Sequence, residues 1–224
     1  TETDLHYPAV WERYWESDPT LYSVVSHPKF FPRVKTKWLR EAAVDRKDNV
    51  RTSWGHLTNA YVSLLRTALK DPRNEWFMIL SESCLPCRPF KEFYQFLQAN
   101  PGRSFVNLRP WDPININRGP QDFVTNAPFP WIKHSGWFCL HRIHVQRLLL
   151  ETNLARFNDI PAGDEHILSA VYNPREFVNK VITYDDWDWT AQEIAKLDRE
   201  KARLVDRGAS PGKIQAIRVR KGKI

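Results

Sequence analysis

Trp76-Phe77-Met78-Ile79-Leu80 is a continuous apolar run with helix-spaced segments on both sides, and this arrangement constrains the fold more than any other feature of the chain. So short an apolar run reads as a strand buried on both faces. Upstream, Leu57, Ala60, Tyr61, Leu64, Leu65, Ala68 and Leu69 recur at helical spacing, and Asp71-Pro72 stops that helix. Downstream, Phe90, Phe93, Tyr94 and Leu97 predict a second helix, with Pro89 suited to its first turn. Leu21 to Ser26, Ser104 to Asn107, Trp137 to Leu140 and Val181 to Tyr184 read as further strands. Helices are predicted over 142–151, from Asp164 onward through Ile167, Ala170 and Val171, and over the strongly charged 190–206. The alternation predicts an α/β chain with a mostly parallel sheet flanked by helices, as one domain over 1–224. Residues 108–133 hold five Pro and no period, and read as a long structured loop of the kind that often carries function.

Composition narrows the class. With 224 residues and 42% apolar content the chain can bury a sizeable core. Ten Trp and 13% aromatic residues exclude a disordered chain. No stretch approaches the apolar length of a membrane span. No signal peptide opens at Thr1, and the only Met is Met78, which leaves room for an upstream anchor or strand. A net charge of +7 and a pI near 9.4 favour acidic partners, and residues 213–224 alone hold five positive charges and no acid. A nucleic-acid-binding module is the competing class, but the aromatics lie in apolar runs rather than among Lys and Arg, so no nucleic acid is expected. Cys84-Leu-Pro-Cys87 has the form of a redox pair, yet three Cys fit neither a disulfide framework nor a zinc site. Three Cys and no visible anchor favour a cytoplasmic, bacterial or viral setting over the Golgi lumen.

In sheets of this class ligands bind at the carboxyl ends of the strands. Ser26-His27, Ser81-Glu82-Ser83 and Asp185-Asp186 cluster there, which points to one cleft. Glycine-rich dinucleotide and P-loop signatures are both absent.

Several blocks, in order, carry a resemblance. They are Tyr22 to Lys29, Trp54-Gly55 ahead of the long helix, Leu80 to Pro86, Ser135 to Leu140, Asp164-Glu165-His166, and Thr183 to Trp187. Together they resemble the Core-2/I-branching glycosyltransferases, a group that includes the peptide-O-xylosyltransferases. The resemblance implies a GT-A-like fold with a Rossmann-type sheet, a UDP-sugar donor, a glycan or glycoprotein acceptor, and inversion at the anomeric carbon. The family's first strand would precede Thr1.

Inverting transfer is a single displacement, which needs a carboxylate to take the acceptor proton and positive charge around the departing diphosphate. On local sequence alone Asp164 and Glu165 are acids charging a helix start. By resemblance Glu165 is the catalytic base, with Asp164 beside it. An early Asp-x-Asp is missing: Ser81-Glu82-Ser83 has one carboxylate, and Asp186-Trp187-Asp188 falls after the last strand. The expectation is therefore no metal and no cofactor beyond the UDP-sugar, with Arg218, Arg220 and Lys221 holding the diphosphate. By the same resemblance His27 and Lys29 lie at the uracil end, although Pro28 stands where several members have Asp. Ser81, Glu82 and Ser83 face the nucleotide ribose or the acceptor sugar. Trp54, Lys133, His134, Asp186 and Trp187 are candidate acceptor or sugar contacts, with Trp54 more readily placed in the core.

Overall fold

The structure, a computed structural model, describes residues 4–16, 18–109, 129–183, 196–200 and 203. Two compact units are present, 1–182 and 183–224, and the described part of the second is helical at 196–200.

The first unit opens with α1 (Pro8–Trp15), whose Pro8 stands at the start of the helix where a missing N–H costs nothing. The short α2 (Lys37–Glu41) and the long α3 (Thr58–Leu69) follow. Next come β1 (Trp76–Met78), α4 (Phe90–Gln98), β2 (Phe105–Val106), β3 (Leu108–Arg109), β4 (Lys133–His134), β5 (Cys139–His141), α5 (Arg142–Leu150) and β6 (Val178–Asn179). The helices at α3, α4 and α5 lie where the apolar spacing puts them.

The main sheet has the order β1-β5-β2-β6. β1 and β2 are joined through α4 and run in the same direction, as the strand–helix–strand pattern predicts. β5 is inserted between them in the opposite sense, pairing Phe77 with Leu140 on one side and Phe105 with Cys139 on the other. Among the described strands of this sheet, β2 and β6 are the parallel neighbours. The sheet is therefore mixed, and the expectation of a mostly parallel sheet is corrected. Alternation of elements reports strand direction but not which strand lies between two others.

Three further expectations change. Leu21 to Ser26 forms no strand; Ser26 makes one isolated parallel bridge to Ala43, because no neighbouring segment extends the ladder. Among the described residues the last strand is Val178–Asn179; Val181 to Thr183 form none, and Tyr184 lies outside the described residues. The helix expected from Asp164 is two separate 3-10 turns, Gly163–Glu165 and Ile167–Ala170, broken at His166 by a φ of −130°. Glu165 thus gains no support from an α-helix dipole.

Two clusters hold these pieces: Leu97 of α4 packs with Phe105 and Cys139 in one, and the larger one gathers around α3. Tyr61 and Leu65 of α3 pack with Phe77, Val106, Phe138, Leu140, Val145, Leu148, Phe157 and Ile167. The guanidinium of Arg142 ties the end of α3 to the start of β1, donating to the carbonyls of Leu69 (3.0 Å), Asp71 (3.0 Å) and Asn74 (2.9 Å). A cation there also suits the negative end of the helix.

Candidate active site

Three glycine-bearing blocks, far apart in sequence, meet at the loop that carries Glu165. The chain runs through the 3-10 segment Leu154–Asp159 and then turns sharply at Ala162, a non-glycine residue with φ of 55°. Such a conformation costs of order 1 kcal/mol or more and persists only where surrounding contacts impose it. Those contacts are on both sides. The Ala162 N–H donates to the Gly55 carbonyl at 2.8 Å, and Gly55 itself has φ of 74°. A Cβ on Gly163 would fall 1.7 Å from the Phe157 carbonyl oxygen, so no side chain fits at that position. On the third side, a Cβ on Gly136 would lie 3.0 Å from the Tyr61 hydroxyl and 3.3 Å from Oδ2 of Asp164. Trp54-Gly55, Ser135-Gly136 and Gly163-Asp164-Glu165 are thus parts of one constellation.

Asp164 and its neighbour separate into two roles. Asp164 is buried, and its Oδ1 has no hydrogen-bond partner among the described residues. Burial raises its pKa, against weaker lowering by its own N–H, the Leu57 N–H at the start of α3, and His56. Its carboxyl faces inward, toward the α3 start and the Tyr61 hydroxyl. Tyr61 is held firmly as the neutral phenol, first by burial and then by the Asp164 and Glu165 charges and Cys84. Glu165 is part-exposed at 27%, and its Oε2 lies 3.3 Å from Nζ of Lys133, which is 16% exposed. The two side chains form an ion pair at the part-exposed face of the loop. Lys133 reaches this position because β4 pairs Lys133 with Arg109 of β3.

His134, the next residue, points the other way. It is 1% exposed, its Nδ1 is 2.8 Å from the Ser135 carbonyl, and its Nε2 accepts the Leu168 N–H at 3.2 Å. Burial pushes its pKa down to about 3, with the Ser135 carbonyl opposing and His166 and Lys133 adding to the fall. A neutral ring with both nitrogens on backbone cannot meet a sugar, so His134 is corrected from a ligand contact to a strap on the loop following Glu165. His27 is likewise buried, and its Nε2 accepts the Val50 N–H at 3.0 Å. Its pKa is lowered, chiefly by burial. It braces the segment leading to Trp54, while Lys29 is exposed beside the Phe30 ring.

Ser81, Glu82 and Ser83 form the turn after β1. Ser81 Oγ lies 3.0 Å from Ser83 Oγ and 3.3 Å from the Cys84 thiol, and the Glu82 carbonyl accepts the His6 N–H. Cys84, Cys87 and Cys139 are all free thiols. Trp54 is 88% exposed, which overturns its placement in the core: the Gly55 turn aims it outward. Asp186, Trp187, Arg218, Arg220 and Lys221 lie outside the described residues. Among the described residues no cluster of three His, Cys, Asp or Glu side chains is placed to hold a metal ion.

Sequence reasoning missed the open cleft of about 570 Å³ lined by Arg51, Thr52, Ser53, His56, Asn158 and Asp159. Arg51 and His56 flank a block already singled out, but nothing in the spacing marked Asn158 and Asp159. It also treated Tyr61 as core alone, since its helical spacing hides the hydroxyl's position under the carboxylates.

A sequence model of the Core-2/I-Branching enzyme family matches residues 1–217. The chain belongs to the Core-2/I-branching enzyme family. That family is one of glycosyltransferases, and three of the blocks that resemble it, at Trp54-Gly55, Ser135-Gly136 and Gly163 to Glu165, meet in the constellation above. A second similarity is to "Glycosyltransferase BC10" of Oryza sativa subsp. japonica, 33% identical over 104 residues. The alignment covers 44% of this chain and 25% of that protein, so the chain spans only part of that relative's length. Among the described residues no helix is long and apolar enough to cross a membrane.

Proposed function

We propose that the protein is an inverting glycosyltransferase that moves a sugar from a UDP-sugar to a hydroxyl of a glycan or glycoprotein acceptor. N-acetylglucosamine is the default donor sugar and xylose the alternative. The observation that carries this reading is the part-exposed Glu165 carboxylate, 3.3 Å from the Lys133 ammonium on a loop fixed by Gly55 and Gly163, in a chain of this family.

In this mechanism the acceptor hydroxyl gives its proton to Glu165 as its oxygen bonds to the anomeric carbon. The C–O bond to the diphosphate breaks, and UDP leaves with the electron pair. Asp164, too buried to meet the acceptor, positions Glu165 by filling the space between the α3 start and Gly136. Ser81, Glu82 and Ser83 serve the nucleotide side, together with Lys29. Arg218, Arg220 and Lys221 neutralise the diphosphate in place of a metal ion, and Asp186 and Trp187 act on the acceptor side.

A thermal-shift screen of UDP-N-acetylglucosamine, UDP-xylose and UDP, followed by NMR of the product's anomeric proton, tests this reading. Stabilisation by UDP and a product of inverted configuration are expected. No response to any uridine nucleotide, or a retained configuration, would contradict it.

A further inference from the structure

Between residues 29 and 40 the chain carries Lys29, Arg33, Lys35, Lys37 and Arg40 and no acid. All five side chains are exposed. Phe30 and Phe31 stand among them, 38% and 46% exposed. A single exposed Phe is ordinary on a protein surface, but two adjacent ones on one turn make an apolar tip. The turn is fixed in shape. The Arg33 N–H donates to the Phe30 carbonyl at 2.8 Å and the Val34 N–H to the Phe31 carbonyl at 3.1 Å, closing a 3-10 turn over Phe31–Arg33. Pro28 and Val34 are buried on either side, and every residue between them is exposed. The Asn49 amide donates to the Pro28 carbonyl at 3.0 Å, and Asp4 Oδ2 accepts the Lys35 and Thr36 N–H groups at 2.8 and 3.0 Å. Beyond the turn, Lys37 and Arg40 share one face of α2, three residues apart.

The cations call for an anionic partner. Acids close by are engaged locally: Asp4 on backbone N–H groups, Glu12 on the Trp38 indole at 2.8 Å, and Glu41 with Lys37 at 3.8 Å. The chemistry of the tip then separates the anionic partners. A nucleic-acid strand asks for open ring faces on which successive bases stack. The Phe30 ring is already faced by the Arg33 guanidinium at 4.7 Å and the Lys29 ammonium at 5.5 Å. Residues 29–35 also contain no Ser, Thr, Asn or Gln to read a base edge. A membrane surface asks for the combination present here. An apolar tip enters the headgroup boundary, and long cationic side chains around it keep their charges at the level of the phosphates.

We propose that the segment 29–40 is a peripheral docking surface for the anionic face of a lipid bilayer. Phe30 and Phe31 insert at the boundary between headgroups and acyl chains. Arg33, Lys35, Lys37 and Arg40 pair with the acidic headgroups around them. The protein lies on the membrane through this turn and does not cross it there.

The test is co-sedimentation of the whole chain with phosphatidylcholine vesicles, alone and with about 30% phosphatidylserine. Binding to the anionic vesicles is expected, falling as NaCl is raised and weaker by about tenfold or more on the neutral ones. Phe30→Ala combined with Phe31→Ala weakens it about tenfold. Arg33→Gln combined with Lys35→Gln weakens it about thirtyfold. Lys29, which serves the nucleotide side, is left intact. Phe31→Trp keeps the apolar tip and binds at least as tightly as wild type, which separates a lost contact from a lost fold. No binding to anionic vesicles overturns the proposal. So does wild-type binding by the double Phe variant, which would leave charge alone, from this segment or from residues 213–224, as the cause. A loss in Phe31→Trp as large as in the double Phe variant overturns the inserted tip. Capture of single-stranded oligonucleotides or polyglutamate without capture of vesicles overturns the lipid in favour of a nucleic acid or an acidic protein.

Discussion

Replacing Gly163 by Ala disturbs the site through geometry alone. The new Cβ would lie 1.7 Å from the Phe157 carbonyl oxygen and 2.8 Å from Cγ1 of Ile160. Carbon and carbonyl oxygen normally approach no closer than ~3.3 Å, so the strands of this loop must separate by about 1.6 Å. The nearest atoms are backbone, which cannot rotate aside as a side-chain end could. Overpacking of this kind costs ~1–3 kcal/mol, and a rigid backbone neighbour places this case near the upper end. At a urea slope of ~2 kcal/mol per molar, the unfolding midpoint falls by about 1–1.5 M. Glu165 lies two residues on, and a displacement of ~1 Å at a reacting group costs roughly a hundredfold in rate. Urea unfolding and transfer rate at saturating UDP-sugar measure the two effects. Gly102→Ala is the control. It has φ of 74° but nothing within 4 Å, so it loses about 1 kcal/mol of stability and no activity. Wild-type stability in Gly163→Ala would refute the packing argument. Lost stability with an unchanged rate, measured where the variant is folded, would refute the claim that this loop positions Glu165.

The remaining predictions concern charge. Lys133→Met removes the ammonium beside Glu165 and should lower kcat about tenfold or more, a typical share of proton-transfer catalysis, while leaving UDP binding unchanged. Burial raises the Asp164 pKa, so the folded state favours its protonated form; the stability this gives is complete below the unfolded value and is lost as pH rises through the folded one. Asp164→Asn should remove that part of the pH dependence in urea titrations, leaving the fold as stable or more stable at neutral pH. His134 has the opposite sign. Its neutral ring is favoured by the fold, so stability is complete above about 6.5 and falls toward about 3. The slope is roughly 1.4 kcal/mol per pH unit, visible as a lower urea midpoint at pH 5 than at pH 7 and absent in His134→Asn. EDTA should leave transfer unchanged, and a strong loss would revive an Asp-x-Asp metal site.

The helices at α3, α4 and α5 were legible because each buries one stripe, which the sequence displays as a period. Strand direction for β1 and β2 was also legible, since a helix joins them. The place of β5 was not, because pairing partners are set by long-range packing that no local period records. The strand over Leu21 to Ser26 failed for the same reason: apolar residues there suit a sheet, but among the described residues the segment finds a single ladder partner, Ala43 opposite Ser26. At the site, the glycine blocks could be read individually. Their convergence on Ala162 and Gly163 depends on a sharp turn whose central residue is an alanine, and alanine gives no warning of a positive φ. His134 was misjudged because a polar residue beside a functional lysine looks exposed until the alternation of β4 turns it inward.

Glu165→Gln tests the central claim most directly. The amide keeps the size and hydrogen-bonding reach of the carboxylate but cannot take the acceptor proton. The variant should fold as wild type, retain its thermal shift with UDP and UDP-sugar, and lose transfer by a factor of about 10² to 10⁴. Turnover close to wild type in a variant that still binds UDP-sugar would contradict the assignment of Glu165 as the base.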